Sequence, residues 1–388
     1  MDAKYQPTGS RISRWSERKL EKLLAPAGVR INGNQPFDMQ IHHPEAATRI
    51  LRQGTLGLGE TYMDGFWDSE QLDVMVEKLL VSRLDASARQ NWSARTFHFA
   101  ARMINLQSKA RAAMVAKRHY DIGNDLFERM LDPSMNYSCG YWLQADTLAG
   151  AQQDKMELVA RKLQLQPGMK LLDIGCGWGG MARHAAEHFG VEVTGITISR
   201  EQAALARQRV AGLPVEILEC DYREVRGKFD RIVSIGMFEH VGYKNYESFF
   251  RHCRQLLADD GLVLLHTIGG NESSAHTDPW INRYIFPNGM LPSIAQLGKA
   301  IEAHFVMEDW HNFGAWYDPT LMAWHDNINR SWDQLGDRYN ERFRRMWNYY
   351  LLSCAGAFRA RRMQLWQLVL STGNLPGVYQ RPVLQPAA

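Results

Sequence analysis

An apolar run that ends in an acid and then gives way to glycines is the feature that most constrains this chain. Residues Leu171 to Gly180 read LLDIGCGWGG. Glycine after a strand lets the backbone turn tightly and approach a ligand, and a following helix points its free N–H groups and positive dipole end at the same place. The stretch therefore predicts a strand, a nucleotide-binding loop and a helix.

The chain from about Leu163 onward alternates short apolar runs with helical stretches, which is typical of a parallel, doubly wound α/β sheet. Strands are predicted in MKLLDIG, VEVTGITI, VEILEC, FDRIVSIGMF and GLVLLHTIG, with helices at 180–189, 200–211 and 246–257. Two further strands are predicted near HFVMEDWHN and MQLWQLVLS. The irregular, aromatic segment 269–292 is expected to cover an active site.

Two nucleotide classes fit the glycine loop. Gly175, Gly177 and Gly180 satisfy G-x-G-x-x-G, the pattern of a dinucleotide site. A nicotinamide site also places an acid about 20 residues further on, for the ribose hydroxyls. Here that region reads TGITISREQ, and no acid ends the strand. Asp173 ahead of the glycines instead completes D-x-G-x-G, the motif of S-adenosylmethionine methyltransferases, so we predict their Rossmann-like sheet.

Charge is divided unevenly along the 388 residues, a length that allows one large domain and a smaller one. Residues 1–120 carry 18 Lys or Arg against 12 Asp or Glu, whereas the remainder carries 27 against 30. We expect a small basic domain at 1–105 that binds a lipid or membrane surface, and a basic linker at 106–120. The catalytic domain is expected at 121–380, with mostly helical structure over 111–164, and a loose tail at 381–388.

The basic character is strongest between Ala86 and Arg118, where seven basic residues occur without an acid. Arg95, Arg102 and Lys109 recur every seven positions, so on a helix they would share one face. Apolar residues between them would let the segment contact anionic lipid. A solvated helix face fits the composition equally well. No recognisable nucleic-acid module accompanies the charge, so nucleic acid is not an expected partner.

Cysteine usage and hydropathy suggest a compartment. Five cysteines form an odd set without a CxxC pair, which argues against both a disulfide framework and a thiolate metal site. The first 15 residues carry charges where a signal peptide needs an apolar centre, and no stretch has the 18 or so uninterrupted apolar residues of a membrane span. We expect free thiols, no metal and a cytoplasmic protein.

Several longer motifs surround the glycine loop. They are HYDIGNDLFERMLDPSMNYSCGYW before it, RIVSIGMFEHVG and LLHTIG after it, and DPWINRYIFPNGMLPS in the expected cover. GLGETYMDGFW in the small domain and YYLLSCAGAFRARRMQLWQ near the end extend the likeness over nearly the entire chain. Together they resemble the cyclopropane-fatty-acyl-phospholipid synthase family. Mycolic acid cyclopropane synthases look similar across the catalytic part but usually lack the small N-terminal domain.

The resemblance implies a reaction at a lipid double bond. A methylene group would pass from S-adenosylmethionine to the cis double bond of an unsaturated phospholipid acyl chain, giving a cyclopropane and S-adenosylhomocysteine. Because an alkene is a weak nucleophile, the sulfonium methyl must be held in line with it and away from water. The carbocation then loses a proton from the new methyl group, and the ring closes. The resemblance implies that the base is a bound bicarbonate or carbonate ion.

The resemblance also assigns catalytic residues: Cys139, Glu239, His266, Ile268 and Tyr317 around the bicarbonate, and Cys354. Glu239 follows an apolar strand, so it would be partly desolvated and would orient the ion. His266, the Tyr317 hydroxyl and the Ile268 N–H would donate to the ion, and Cys139 would lie in the turn that closes over it. For Cys354 we expect packing near the site, because apolar surroundings keep a thiol neutral. Without the resemblance, Glu239 and His240 would be interpreted as a capping or salt-bridged pair at a strand end.

The family pattern places S-adenosylmethionine against the loops after the first three strands and against one segment before them. The residues are Tyr137, Ser138, Gly175, Gly177, Thr197, Gln202 and Tyr222. Thr197 and Gln202 would bind the ribose, and Tyr222 would lie beside the adenine. The implied partners are unsaturated membrane phospholipids, an anionic membrane surface at the inner face of the membrane, and a second copy in a homodimer.

Two alternatives remain open. A C-methyltransferase on the same scaffold would let the cation lose a different proton, and the product would be a methyl-branched or methylene lipid. A lipid- or cofactor-binding regulator would bind the same molecules without turnover.

Overall fold

The computed structural model describes residues 11–82, 123–375 and 377–384, which divide into two compact units. The first unit contains 11–82, 277–287 and 321–362, and the second contains 123–276, 288–320 and the described residues from 363 onward. The basic segment 86–118 and the predicted linker 106–120 lie outside the described residues. Residues 277–287 and 321–362, which we expected in the catalytic domain, therefore cluster with the N-terminal part of the chain. The functional roles of the two units stay predictions.

The described elements follow one another in three groups. The N-terminal group is α1 (Arg11–Leu24), β1 (Gln40–Ile41), α2 (Ala46–Gln53), α3 (Thr55–Met63), β2 (Trp67–Asp68) and α4 (Leu72–Val81). The central group is α5 (Asn124–Met130), α6 (Leu148–Lys162), β3 (Lys170–Ile174), α7 (Gly180–Phe189), β4 (Glu192–Thr197), α8 (Arg200–Arg209), β5 (Val215–Glu219), β6 (Phe229–Ile235), α9 (Tyr246–Leu256) and β7 (Leu257–Gly270). The last group is α10 (Pro279–Tyr284), α11 (Ile294–Ile301), β8 (Val306–Asn312), α12 (Tyr317–Arg330), α13 (Glu341–Arg359) and β9 (Met363–Ser371).

A seven-stranded sheet forms the second unit, in the order β5-β4-β3-β6-β7-β9-β8. The pairs among β3 to β7 are parallel, whereas β9 runs antiparallel to both β7 and β8. All seven predicted strands are present, and the three predicted helices are α7, α8 and α9. The predicted doubly wound α/β class is confirmed. Within the described ranges, no helix combines the length and hydropathy needed to cross a bilayer.

Both faces of the sheet are buried, because side chains alternate between faces along a strand. Leu171 of β3 belongs to a core cluster with helices α6 and α7, and the next residue, Leu172, belongs to a cluster with α9 and α11. The near-continuous apolar runs of these strands follow from this two-sided burial. Strand β3 lies between β4 and β6, where the strand order reverses. Ligands of doubly wound sheets bind at the carboxyl ends of the strands beside such a point.

The structure adds detail to three local expectations. Between α5 and α6, residues 131–147 form turns and extended chain, whereas α5 and α6 themselves account for just over half of the described residues of 111–164. The segment 269–292 contains the helix α10, whose aspartate cap Asp278 accepts from the N–H of Trp280 at 2.9 Å. The expected loose tail is anchored where it begins: Arg381 forms an ion pair with buried Asp309, and the nearby Tyr379 hydroxyl donates to a backbone carbonyl of α6 at 3.0 Å.

Candidate active site

The glycine loop joins β3 to α7 and leaves open space beside its backbone. Gly175 has a φ of +86°, and a Cβ there would lie 2.7 Å from the Cβ of Met237, so only glycine fits this close approach. Gly177 has a φ of +55°, and a Cβ there would meet no atom within 4 Å. Helix α7 begins at Gly180, so its N-terminal N–H groups face this loop. The loop can therefore hold a ligand against bare backbone.

Buried charges lie beneath the loop. Asp173 is 2% exposed, and its Oδ2 has no hydrogen-bond partner among the described residues. Burial raises the pKa of Asp173 to about 7, against the lowering effect of Lys155. The Lys155 side chain on α6 is fully buried and donates to the Ser138 hydroxyl at 2.9 Å. Burial lowers the pKa of Lys155 to about 8, against nearby Asp132, Cys139 and Asp173.

The segment before the sheet contacts the loop through aromatic rings. The ring of Phe127 on α5 lies 5.2 Å from that of Tyr137 and 4.9 Å from that of Trp178 in the loop. Trp178 also donates from Nε1 to Asn124 at 2.9 Å. Tyr137 and Ser138, two of the predicted cofactor residues, are thereby brought to the same end of the sheet as the glycines.

The remaining predicted cofactor residues follow the next two strands. Thr197 ends β4, and its hydroxyl donates to Oε1 of Gln202 on α8 at 2.8 Å. Tyr222 follows β5 and packs its ring against that of Phe249, at 5.3 Å. Burial raises the pKa of Tyr222 to about 12, so its hydroxyl stays protonated. Asp221 beside it forms an ion pair with Arg223 at 2.6 Å.

Glu239 lies in a short turn of 3₁₀ helix just after β6, next to the glycine loop at the reversal point of the sheet. It is 8% exposed, and its Oε1 accepts a hydrogen bond from the backbone N–H of Ile268 at 2.6 Å. Its Oε2 is buried without a hydrogen-bond partner in the described parts of the chain. Burial raises the pKa of Glu239 to about 7, although the Ile268 N–H opposes the shift. A carboxyl group in this state can gain or lose a proton near neutral pH.

His266 lies on β7, two residues before Ile268, so both side chains face the same side of the sheet. It is 1% exposed, and its Nδ1 lies 3.2 Å from Nε2 of Gln367 on the neighbouring strand β9. With the Gln367 amide in this orientation its nitrogen donates, so Nδ1 is the acceptor and the ring proton of the neutral form is on Nε2. That Nε2 is buried and unpartnered within the described structure. Burial, followed by the charges of Lys155 and Lys162, holds the pKa of His266 well below its usual range.

Cys139 and Tyr317 are brought together by Thr320. The Thr320 hydroxyl, on the first turn of α12, accepts from the Gly140 N–H at 3.1 Å and from Nε1 of Trp142 at 2.8 Å. This ties the loop after Cys139 to the helix that Tyr317 begins. Both Cys139 and Tyr317 are buried, and burial raises the pKa of the Cys139 thiol, so the thiol stays neutral.

This second cluster also adjoins the strand that carries His266. The ring of Phe313, just before α12, lies 5.9 Å from the imidazole of His266. The Phe313 N–H donates to the carbonyl of Leu365 on β9 at 3.1 Å. Five predicted catalytic residues therefore belong to connected segments of the second unit. Cys354 lies instead on α13 in the first unit, where burial raises the pKa of its thiol to about 12.

Three residues of the site were missed from the sequence: Lys155, Thr320 and Gln367. Lys155 could have been found from the sequence, because its spacing places it on the apolar stripe of α6 with Ala151 and Val159. A lysine on the apolar face of an amphipathic helix is not solvated and therefore indicates a buried partner. Thr320 and Gln367 carry no such signal, since their partners come from distant parts of the chain. Among the described residues, no group of three or more His, Cys, Asp or Glu side chains could hold a metal ion.

Known proteins are similar to this chain in sequence. A family model described as mycolic acid cyclopropane synthetase matches residues 107–368. The chain is 53% identical over 356 residues to the cyclopropane-fatty-acyl-phospholipid synthase of Escherichia coli (strain K12), covering 92% of this chain and 93% of that protein. It is 34% identical over 363 residues to the tuberculostearic acid methyltransferase of Mycobacterium tuberculosis (strain ATCC 25618 / H37Rv), covering 85% and 82%.

Solved structures agree. The mycolic acid cyclopropane synthase CmaA1, solved in complex with SAH and CTAB, is 35% identical and superposes with a TM-score of 0.63, covering 66% of this chain and 97% of that chain. The sheet is thus the Rossmann-like sheet of S-adenosylmethionine methyltransferases, as predicted. The family match over most of the chain, together with relatives similar over most of their own length, shows that this protein is an enzyme of the mycolic acid cyclopropane synthetase family.

Proposed function

We propose that this chain transfers a methylene group from S-adenosylmethionine to the cis double bond of an unsaturated phospholipid acyl chain. The products are a cyclopropane fatty acyl chain and S-adenosylhomocysteine. The observation that carries the proposal is the 53% identity to a relative named cyclopropane-fatty-acyl-phospholipid synthase over 92% of the chain. The buried acid at the reversal point of the sheet supports it, because ring closure requires that a proton be removed.

The reaction balances as follows. The π electrons of the alkene attack the sulfonium methyl, a C–C bond forms, and the C–S bond breaks, leaving its electron pair on sulfur. The positive charge passes from sulfur to the acyl chain. A base then removes one proton from the new methyl group, and the electron pair of that C–H bond closes the ring. The net result is one CH₂ unit added to the lipid and one proton released.

The loop at the end of β3 fits the methyl donor. The open space beside Gly177 would admit its methionine part close to the backbone, and Thr197 and Gln202 offer polar atoms for the ribose at the end of the next strand. Oδ2 of Asp173 has no hydrogen-bond partner among the described residues. It can accept a hydrogen bond directly from the ammonium group of the donor, or from a water molecule that in turn accepts one from that ammonium group. The sequence identified Asp173 as part of the D-x-G-x-G motif but did not assign it to the cofactor site. In this arrangement it would contact the donor directly or through water.

Two buried atoms that have no hydrogen-bond partner among the described residues fit a bicarbonate ion: Oε2 of Glu239 and Nε2 of His266. The neutral imidazole would donate its Nε2–H to an oxygen of the ion, and Glu239 would accept the O–H of the ion or donate to it, according to its own protonation. Tyr317, Cys139 and the Ile268 backbone would complete the enclosure. When bound, the ion supplies a weak base beside the acyl chain. Glu239 would set its orientation, because the Ile268 N–H fixes that carboxyl group.

We further propose that the enzyme works at a membrane surface and as a homodimer. The excess of Lys and Arg over residues 1–120 supports attraction to anionic lipid, since phosphate groups bind such side chains. Binding to vesicles should then fall as salt is raised. Sedimentation equilibrium of the purified chain tests the dimer.

The reaction is tested with purified chain, S-adenosylmethionine and vesicles of a cis-monounsaturated phospholipid. We expect S-adenosylhomocysteine to form in step with a lipid that shows the upfield proton NMR signals of a cyclopropane. Vesicles of a saturated phospholipid are the control. Glu239→Gln should lower kcat about 100-fold or more, as removal of a positioned acid or base does, whereas Glu216→Gln on the exposed part of β5 should not. Methyl transfer that is indifferent to Glu239 would contradict the assigned role.

Bicarbonate is tested in buffer stripped of carbon dioxide. Activity should fall and should return when bicarbonate is added, and chloride at equal ionic strength should not restore it. Full activity in stripped buffer would refute the proposed base and leave the transfer reaction itself intact.

A C-methyltransferase is the second candidate, and the 34% identity to a tuberculostearic acid methyltransferase favours it. In the alternative, a hydride moves from the methyl-bearing carbon to the cationic one, and a proton is then lost from the methyl group or from a neighbouring chain carbon. The product is a methylene lipid or a methyl-branched alkene lipid, which is isomeric with the cyclopropane and has the same mass. Proton NMR decides, since vinylic or branched-methyl signals in place of ring signals would identify the alternative.

A further inference from the structure

One face of helix α1 packs against the rest of the first unit. Ser13, Ser16, Leu20 and Leu24 are its buried residues. The Ser13 hydroxyl donates to the carbonyl of Pro44 at 2.6 Å, and Thr48 on α2 donates to the hydroxyl of Ser16 at 3.0 Å. These contacts lie within the first unit and set the rotation of α1 about its own axis.

A second face of α1, directly beside the buried one, exposes large apolar side chains to water. Ile12 is 67% exposed, Trp15 is 56% exposed and Leu23 is 43% exposed. Lys19 lies between Trp15 and Leu23, and its Nζ is 4.9 Å from the centroid of the Trp15 ring. Positions 12, 15, 19 and 23 are spaced by three or four residues, so they form one stripe along the helix. Exposed apolar residues that occur singly are ordinary, but a stripe of this kind marks a contact surface.

One basic side chain lies within this stripe, and the others lie along the edge away from the buried face. The 14 residues of α1 contain five bases against two acids: Arg11, Arg14, Arg18, Lys19 and Lys22 against Glu17 and Glu21. A helix that carries a tryptophan and aliphatic residues on one face, with Lys and Arg beside them, suits the headgroup region of an anionic bilayer. A second copy of the same face is a poor partner, because an isologous contact would bring the two sets of bases together.

We propose that α1 lies in the headgroup region of an anionic phospholipid bilayer, with Ile12, Trp15 and Leu23 inserted among the acyl chains and the flanking bases paired with lipid phosphates. This surface is distinct from the basic segment 86–118 predicted from the sequence. The inference deepens the proposed function in one respect, since it rests on a substrate that resides in a membrane. Its physical basis is the match of exposed apolar area and positive charge on one helix face.

The test is co-sedimentation of the full chain with vesicles of phosphatidylglycerol and phosphatidylcholine, measured without S-adenosylmethionine. Trp15→Ala should weaken binding about tenfold, because it removes half-exposed indole surface that the bilayer would bury. Arg14→Gln and Lys22→Gln should each weaken it about fivefold. Val306→Ala, at a 48% exposed apolar side chain of strand β8, is the matched control and should bind as the unaltered chain does.

Two results would overturn the proposal. One is equal vesicle binding by the unaltered chain and Trp15→Ala. The other is a change in the sedimentation-equilibrium mass caused by Trp15→Ala, because the stripe would then cover a second copy. Circular dichroism confirms that Trp15→Ala is folded before either result is accepted. Since binding is measured without the methyl donor, a failure of the proposed reaction leaves this test readable.

Discussion

The burial of Glu239 predicts that Glu239→Gln stabilises the protein in alkaline solution. Burial raises the pKa of this carboxyl to about 7 in the folded chain, whereas an unfolded glutamate titrates near 4.3. A raised carboxyl pKa means that folding favours the protonated form, so stability falls as pH rises from the unfolded value to the folded one. Glutamine does not ionise, so the Glu239→Gln variant does not lose stability over this pH range.

The magnitude follows from the two pKa values. Ionising the buried carboxyl costs about 1.4 kcal/mol per pH unit across the window, which gives about 2.5 kcal/mol between pH 5 and pH 8. For a unit of this size, that difference corresponds to about 5–10 °C in the midpoint of thermal unfolding. Any cost of the amide group itself does not depend on pH, and it cancels when the two pH values are compared.

Thermal unfolding followed by circular dichroism at pH 5 and pH 8 measures the effect. The midpoint of Glu239→Gln, relative to the unaltered chain, should rise by this amount from pH 5 to pH 8. Glu216→Gln on the solvent-exposed part of β5 is the matched control and should show no pH-dependent difference. A gain that is the same at both pH values would refute the reasoning, because it would mean that Glu239 is ionised at no cost in the folded chain.

Three further perturbations test the architecture. Thr320→Val keeps the shape but leaves two donors without an acceptor, so amide exchange over 139–142 should accelerate by about tenfold or more, whereas Thr320→Ser should preserve protection. Gly269→Ala would place a Cβ 2.0 Å from the buried ring of Trp366 and should cost about 1–3 kcal/mol of unfolding free energy, while Gly298→Ala, which meets no atom within 4 Å, should not destabilise. Arg381→Ala removes the ion pair that holds the C-terminal segment, so limited proteolysis should cleave 377–384 sooner; unchanged cleavage would show that the ion pair is dispensable.

The sheet was predictable because its signals are local. Each strand is a short apolar run between turn residues, and two-sided burial makes these runs continuous. The prediction for β9, Met363–Ser371, agrees with the structure at both ends. The glycine loop was predictable for the same reason, since a positive φ restricts the residue at that position itself.

The ion pairs of buried residues were not predictable, because the oppositely charged partners that offset the cost of burial are far away in sequence. Lys162 is fully buried on α6 and pairs with Asp309 on β8 at 3.1 Å. Asp309 also binds Arg381, near the end of the chain. From the sequence, an arginine in a proline-containing terminal stretch indicates a solvated tail. Only the position of Asp309 in the fold shows that Arg381 is held in place. Composition likewise could not show that 277–287 and 321–362 cluster with the N-terminal part.

Burial shifts the pKa values of four groups beside the loop in the direction that favours their neutral forms: Lys155 and His266 downward, Asp173 and Glu239 upward. Charges there are poorly solvated, so a cation formed on a bound lipid would meet little water able to capture it. The same dryness makes an anion costly unless a donor such as Nε2–H of His266 meets it. The stability lost at Glu239 and the protection of the proposed cation would therefore have one physical cause, and a change that hydrates the site should diminish both together.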